Sequence, residues 1–250
     1  MKITEALRVE KGDIVAIVGA GGKSSLMFAL AEALPKPVCL TTTTKIGYSE
    51  GFGAFNHLEF SNFINRGGEA FSDGVVTLVT NPTDTTRQKW LGLSLPEAEN
   101  LIATCKQGGV TCFIEADGAR RGSLKAPADW EPVIPDSTNL VVVLVGLSVI
   151  GKPLTDEYVF RPEIFSRLTG LNIGEPVRLE HVCRMLSHEK GGLKGVPEGG
   201  RAAVVFNQAD LCPFKPEDNA LVETYLREKF SAAITTSLRF DRENCGVIFR

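Results

Sequence analysis

The chain has 250 residues, of which 43% are hydrophobic and 23% are charged, so its composition is that of a globular protein rather than a disordered chain. The net charge of −3 supplies no broad basic field, so we expect no nucleic acid and no membrane as a partner. Six cysteines without a CxxC pair, and an N-terminus without the apolar region of a signal peptide, predict a cytoplasmic protein with reduced thiols.

Short runs of apolar and β-branched residues recur along the chain and predict buried strands. They are nearly continuous in hydrophobicity, which is typical of strands covered on both faces in a parallel sheet. The predicted strands cover residues 13–19, 38–41, 75–80, 110–115, 140–146 and 202–207, followed by two further runs at 232–238 and 247–250.

Helical patterns lie between these runs, at residues 24–34, 96–107, 175–188 and 216–229. Strands that alternate with helices predict an α/β fold with a doubly wound, mainly parallel sheet. No linker composition marks a boundary, so we expect a single domain over residues 1–250. Residues 147–200 show helical patterns without a clear strand, which leaves open a small helical subdomain there.

A glycine-rich loop lies directly between the first predicted strand and the first predicted helix. Glycines at the start of a helix allow backbone N–H groups to surround phosphate oxygens, and the helix dipole adds to the attraction. The expected phosphate-binding residues are Gly19, Ala20, Gly21, Gly22, Lys23, Ser24 and Ser25. In this arrangement Lys23 reaches the β- and γ-phosphates and the Ser24 hydroxyl binds Mg²⁺.

The spacing of this loop, GxxGKS, is two residues shorter than the usual GxxxxGK[ST] motif and resembles the loop of Mur-type ligases. The alternative interpretation is an ordinary turn between a strand and a helix, with Lys23 exposed to solvent.

Two carboxylates, Glu115 and Asp117, follow the strand predicted at 110–115. Acids at the end of a strand hold Mg²⁺ or position an attacking water, and of the two Asp117 is the preferred metal ligand alongside Ser24. The alternative is a helix cap or turn residue. The next segment carries Arg120, Arg121 and Lys125, which either stabilise charge on a transferred phosphate or lie in solvent.

Polar residues follow two more predicted strands. Thr43, within the run 41–44, is expected to contact a phosphate or the Mg²⁺ shell, although β propensity alone also explains a threonine run. Asn207 and Asp210 form an N-x-x-D pattern like the guanine-reading element of GTPases, with Gln208 in place of its lysine; a capped turn is the alternative. All these features fall at carboxyl ends of strands, which is where open α/β sheets bind ligands.

Several blocks of the sequence together resemble the selenium-dependent hydroxylase accessory protein family, the YqeC-like group of P-loop proteins. The resemblance covers about residues 10–212, and its blocks are IVGAGGKSS, TTTTK, EADGARRGSLKAP, WEPVIP, GLSVIGKPLTDEYVFRPE, GGLKGVP and FNQAD. It implies a P-loop NTPase-like three-layer sandwich, nucleotide contacts over residues 19–25 and functional acids at Glu115 and Asp117. It also implies a role in the maturation of a molybdenum hydroxylase, with that enzyme or its maturation factors as partners.

These observations lead to one main hypothesis: a Mg²⁺-dependent protein that binds ATP or GTP and hydrolyses it slowly, with Lys23, Glu115 and Asp117 as the catalytic residues. Two alternatives stay open. One is a small-molecule kinase or Mur-like ligase that uses the same phosphate loop. The other is a non-catalytic carrier of a cofactor that bears a phosphate.

Overall fold

A computed structural model describes residues 1–47, 56–72, 74–84, 88–119 and 122–250. Within these ranges the strands are β1 (Ile14–Gly19), β2 (Val38–Thr42), β3 (Lys45–Gly47), β4 (Asn56–Glu59), β5 (Val76–Asp84), β6 (Lys89–Leu91), β7 (Thr111–Glu115), β8 (Leu124–Lys125), β9 (Leu140–Gly146), β10 (Val159–Phe160), β11 (Arg201–Asn207), β12 (Ala232–Ser237) and β13 (Asp241–Phe249). The helices are α1 (Ile3–Ala6), α2 (Lys23–Ala33), α3 (Phe60–Arg66), α4 (Leu95–Gly108), α5 (Pro162–Thr169), α6 (Leu179–Ser187) and α7 (Pro216–Leu226), with 3₁₀ turns at Gly67–Ala70 and Leu147–Val149.

The described residues form an eleven-stranded sheet in the order β13-β12-β11-β9-β1-β7-β2-β5-β6-β3, and β4 also pairs with β5. Pairing is parallel from β12 to β5 and between β5 and β4. Antiparallel pairing occurs at the two ends, between β12 and β13 and among β5, β6 and β3. The predicted mainly parallel sheet is therefore confirmed, and β1 lies near its centre between β9 and β7.

Alternate residues of the central strands enter two separate hydrophobic cores. Along β1, Ala16 and Val18 face one core, whereas Val15 and Ile17 face the other. Buried residues of α1 and α2 complete the second core, and buried residues of α3 to α7 complete the first. Helices thus cover both faces, which confirms the doubly wound, three-layer sandwich and explains why the strands are hydrophobic throughout.

Local sequence signals fix the ends of α4, which corresponds to the helix predicted at 96–107. Ser94 and Glu97 form a capping box at its start, and Gly109 follows its end at φ 60° in the left-handed region. The helix predicted at 175–188 begins later, at Leu179. The reason is that Val177 exchanges backbone hydrogen bonds with residues 151–152, which holds this stretch extended.

Residues 147–200 contain α5, α6 and β10 and pack against the same core as the sheet. Leu154, Phe165 and Val182 belong to the hydrophobic cluster that includes strand residues such as Val143. β10 pairs with β8 in a separate two-stranded sheet, so a strand does occur in this segment. The segment extends one helix layer of the sandwich. Among the helices of the described ranges, none combines the length and the apolar character that a membrane crossing requires.

The central position of β7 predicts a large stability difference between two phenylalanines. Phe113 is 0% exposed, whereas Phe240 is 71% exposed. Phe113→Ala is expected to lower the free energy of unfolding by about 3–5 kcal/mol, because it leaves a cavity in the second core. Phe240→Ala serves as the control and is expected to change it by less than about 0.5 kcal/mol. Urea denaturation checks both values, and equal losses would contradict this assignment of the core.

Candidate functional site

The loop between β1 and α2 packs its backbone directly against the carboxyl end of β9. Gly19 and Gly21 have φ values of 95° and 93°, which side chains of L-residues rarely adopt. A Cβ atom on Gly19 would lie 2.3 Å from the Leu144 carbonyl oxygen, and one on Gly21 would lie 2.4 Å from the Gly146 nitrogen. Both positions therefore require glycine for conformation and for space.

Four backbone N–H groups of this loop have no hydrogen-bond partner within the described part of the chain. They belong to Gly21, Gly22, Ser24 and Ser25. The amides of Ser24 and Ser25 lie in the first turn of α2, where a helix leaves its N–H groups unpaired. Ala20 differs, since its N–H donates to the end of β9 at 2.9 Å. Unpaired amides at a helix start form a binding site for an anion.

The ammonium group of Lys23 lies between the loop and the two acids at the end of β7. Its Nζ atom donates to the Gly19 carbonyl at 2.9 Å, and lies 3.2 Å from Asp117 Oδ1 and 3.8 Å from Glu115 Oε1. Its side chain is only 6% exposed. The structure therefore brings together the three residues that the sequence analysis named as catalytic.

Ser24 and Glu115 place two oxygen atoms side by side. The Ser24 hydroxyl donates to Glu115 Oε2 at 2.7 Å. Neighbouring oxygen ligands of an octahedral Mg²⁺ ion lie about 3 Å apart, because each is about 2.1 Å from the metal. The separation of these two oxygens therefore fits a shared Mg²⁺ ion. Glu115 is the acid beside Ser24 in the structure, and the expected metal pair of Ser24 and Asp117 stays a prediction.

Asp117 is engaged with the protein itself. Its Oδ2 atom accepts the Gly19 N–H at 2.9 Å and lies 2.9 Å from Lys125 Nζ. Its Oδ1 atom accepts no hydrogen bond from the described residues, but it lies 3.2 Å from Lys23 Nζ. With a side chain that is 3% exposed, Asp117 is a counter-ion shared by two lysines, and it ties the loop to the end of β7.

Lys125 and Arg161 form ion pairs with the same carboxylate, that of Glu131. The Nζ atom of Lys125 lies 2.9 Å from Glu131 Oε2, and Arg161 pairs with the other oxygen of Glu131. Burial raises the pKa of Glu131, but hydrogen bonds from Lys125 and Arg161 outweigh it and hold the pKa below its ordinary value. Lys125 bridges Asp117 and Glu131 with a side chain that is 1% exposed, so it does not lie in solvent, and its phosphate role stays a prediction. Arg120 and Arg121, for which the same alternatives were open, lie outside the described residues.

Thr43 joins the ends of two strands to an outer loop. Its N–H donates to the Glu115 carbonyl at 3.1 Å, and its hydroxyl donates to the Val133 carbonyl at 2.7 Å. The neighbouring Thr42 hydroxyl donates to the same Glu115 carbonyl at 2.8 Å. These threonines hold β2 against β7 at the site, and the expected phosphate contact of Thr43 stays a prediction.

Asn207, at the end of β11, holds the loop in place. Its amide Nδ2 donates to the Gly21 carbonyl at 2.8 Å, and its Oδ1 accepts from the Thr236 hydroxyl and the Leu238 N–H, both at 3.1 Å. All three contacts are internal and give Asn207 a positioning role, while its expected base contact stays a prediction. Asp210 is exposed at the same edge of the sheet, where its base contact stays a prediction.

The structure adds Ser123 and Ser148, to which the sequence analysis assigned no role, and brings Gln208 into contact with Ser148. The Ser123 carbonyl accepts the Gly146 N–H at 2.7 Å, and the hydroxyls of Ser123 and Ser148 lie 2.7 Å apart. Gln208 Oε1 accepts the Ser148 N–H at 3.3 Å. These groups border Gly21, because a Cβ atom there would lie 3.1 Å from the Ser123 carbonyl oxygen. Single serines in loops have no characteristic spacing, so sequence analysis had no signal for them.

The fold and the site define a doubly wound α/β protein with a glycine-rich helix start beside two buried acids. The family model described as YqeC protein matches residues 15–163. A protein of Escherichia coli (strain K12) described as "Uncharacterized protein YqeC" is 30% identical over 218 residues, which cover 85% of this chain and 80% of that protein. The chain therefore belongs to the YqeC family. No solved structure matches it.

Removing the charge of Asp117 is expected to destabilise the protein strongly. Asp117→Asn leaves Lys23 and Lys125 buried beside a neutral amide, and breaking a buried ion pair costs about 3–5 kcal/mol. Asp156→Asn, the same change at an exposed position, is the control and is expected to have little effect. The measurement is the free energy of unfolding in urea. A loss no larger than that of the control would show that Asp117 does not hold the loop.

The pairing of Glu131 predicts a specific pH dependence. Its folded-state pKa lies below the ordinary value of 4.5, so its contribution to stability is present above that value and is lost as pH falls through the folded pKa. Glu131→Gln is therefore expected to be less stable at pH 7, and to lose less further stability on acidification than the native chain. Thermal unfolding over a pH series measures this, with Glu228→Gln, at an exposed position, as the control. Parallel pH curves for native protein and Glu131→Gln would refute it.

Proposed function

We propose that the protein is a Mg²⁺-dependent nucleoside-triphosphate binding protein that hydrolyses ATP or GTP slowly. The observation that carries the proposal is the set of N–H groups on Gly21, Gly22, Ser24 and Ser25, which lack partners among the described residues. Hydrogen bonds from amides to phosphate oxygens are charge-assisted, and the dipole of α2 adds to their strength. A triphosphate is the ligand whose several anionic oxygens match such a set of donors.

Lys23 completes the phosphate site. In the structure it pairs with Asp117, whose other oxygen is already paired with Lys125. When Lys23 turns toward a phosphate, Asp117 therefore keeps one ammonium group as counter-ion. The exchange of one anionic partner for another costs less than burying a new charge, because the lysine is buried and paired before and after binding.

Ser24 and Glu115 are the proposed ligands of Mg²⁺. Their oxygens are hard donors of the kind that Mg²⁺ prefers, and the 2.7 Å separation suits two positions of an octahedral shell. The ion would supply charge neutralisation at the phosphates. When Lys23 turns toward the phosphate, Asp117 keeps Gly19 and Lys125 on its Oδ2 atom, and its Oδ1 atom would then position the attacking water.

The physiological part of the proposal rests on the family. From the sequence resemblance to hydroxylase accessory proteins, we propose that the chain acts in the cytoplasm in the maturation of a selenium-dependent molybdenum hydroxylase. Its partners would be that enzyme or other maturation factors. The six cysteines, all of which are unpaired, are consistent with a reducing compartment.

Nucleotide-dependent thermal stabilisation tests the central assignment. ATP or GTP with Mg²⁺ at 100 times Kd is expected to stabilise the native chain by about 2.7 kcal/mol, which raises Tm by about 5–11 °C for a protein of this size. Lys23→Ala is expected to lose most of this increase, whereas Lys106→Ala, an exposed lysine in the last turn of α4, is expected to retain it. For each variant, Tm with nucleotide is compared with Tm without nucleotide. A change in the intrinsic stability of the variant therefore does not affect the comparison.

Two further measurements test the Mg²⁺ ligand and the reaction type separately. Glu115→Gln is expected to abolish the added stabilisation that Mg²⁺ gives, while nucleotide alone still stabilises. Phosphate release without an acceptor supports hydrolysis, whereas formation of nucleoside diphosphate only when a small-molecule acceptor is present identifies a transferase. An undiminished nucleotide response in Lys23→Ala, or none in the native chain, would overturn the proposal.

A further inference from the structure

Three cysteine side chains meet in the interior of the protein, away from the loop. They are Cys39, Cys105 and Cys112, and each pair of their Sγ atoms lies within 4.8 Å. All three are fully buried and belong to the hydrophobic core covered by α3 to α7. A buried cysteine elsewhere, Cys183, is not part of this group and shows how a single thiol fills the core as a small apolar side chain.

Different elements deliver the three thiols to one point. Cys39 on β2 and Cys112 on β7 are direct partners in the parallel register of these strands. Cys105 lies in α4, and its carbonyl accepts the Val110 N–H where the chain returns to β7. Because two neighbouring strands and the helix that packs on them fix the positions, the three sulfur atoms are held in place before any ligand arrives.

We propose that Cys39, Cys105 and Cys112 form a three-sulfur site for a soft metal cation of the Cu(I) class. Thiolate sulfur selects soft cations such as Cu(I) and disfavours Mg²⁺ and Ca²⁺. Structural Zn²⁺ sites almost always have four protein ligands. In the described ranges this group has three metal-ligating side chains, so the coordination number favours Cu(I) over Zn²⁺.

The distances fit a trigonal site after small movements. At a metal–sulfur distance of about 2.3 Å, three sulfurs around one ion lie about 4.0 Å apart. The Sγ atoms lie within 4.8 Å of one another, so no pair is more than about 0.8 Å wider than this arrangement requires. Each thiol that becomes a thiolate ligand releases its proton to water, and neither the sulfur nor the metal changes oxidation state.

The site is independent of the proposed nucleotide function. Cys112 is three residues before Glu115 on β7, which at about 3.3 Å per residue places it about 10 Å along the strand from the acid. A failed copper test would therefore leave the nucleotide assignment intact, and a failed nucleotide test would leave the copper site intact.

Copper binding by the full-length chain tests the proposal. The background variant Cys212→Ser/Cys245→Ser removes the two partly exposed thiols. Reduced, anaerobic protein is titrated with Cu(I) against a chromophoric chelator, both after native incubation and after refolding with the ion. We expect about one equivalent of retained copper per chain, a sulfur-to-copper charge-transfer band and a higher Tm. Cys183→Ser in this background is the control and is expected to retain the copper.

Two variants decide the outcome. Cys112→Ser and Cys105→Ala are each expected to reduce the retained copper by about tenfold or more. Cys105→Ala lies on a helix, where alanine is well tolerated, so it remains informative if the strand variant fails to fold. Circular dichroism confirms the fold of each variant. Copper retention equal to the background in the folded variants, or less than about a tenth of an equivalent in the background after refolding, would overturn the site.

Discussion

Two lysines, Lys23 and Lys125, share the buried carboxylate of Asp117, which also accepts the N–H of Gly19. This one side chain connects the glycine-rich loop, the end of β7 and the segment that follows it. A buried carboxylate is stable only when it is paired, and here the partners come from the glycine-rich loop and from the segment that follows β7. The position of the loop therefore depends on an interaction that folding must assemble from distant residues.

Charge balance links this network to the proposed requirement for Mg²⁺. Among the described residues the network contains equal numbers of cationic and anionic side chains, namely Lys23, Lys125, Arg161, Glu115, Asp117 and Glu131. A triphosphate would add several negative charges to this network. A divalent cation at Ser24 and Glu115 would offset part of them.

Local signals were sufficient to predict β1, β2, β5, β7, β9, β11 and β12, the four longest helices and the loop. The loop was placed by its glycines and by the apolar runs on either side, although the reason for glycine at residues 19 and 21 is the close approach of β9. The elements missed, such as α3 with seven residues and β6 with three, are short, and the strand β10 has only two residues. Short elements depend on tertiary packing more than on their own pattern.

The individual roles of the site residues depend on distant contacts, which a single sequence does not reveal. Glu115 and Asp117 are two residues apart at a strand end, and only the position of Ser24 and Lys125 distinguishes the acid beside a hydroxyl from the acid between lysines. Asn207 contacts Gly21 across 186 residues. Its motif predicted a base contact, which stays a prediction, and the structure shows that the residue also supports the loop.

The loop is supported from three sides, and this has a consequence for binding. β9 contacts Gly19 and Gly21 through their backbones, Asp117 holds the Gly19 N–H, and Asn207 holds the Gly21 carbonyl. Because these contacts hold the loop without a ligand, binding of the proposed phosphate would lose little conformational entropy, and more of the amide–phosphate interaction would contribute to affinity. The same supports leave the amides of residues 21, 22, 24 and 25 without partners among the described residues, so the contacts that fix the backbone do not use the groups that would bind an anion.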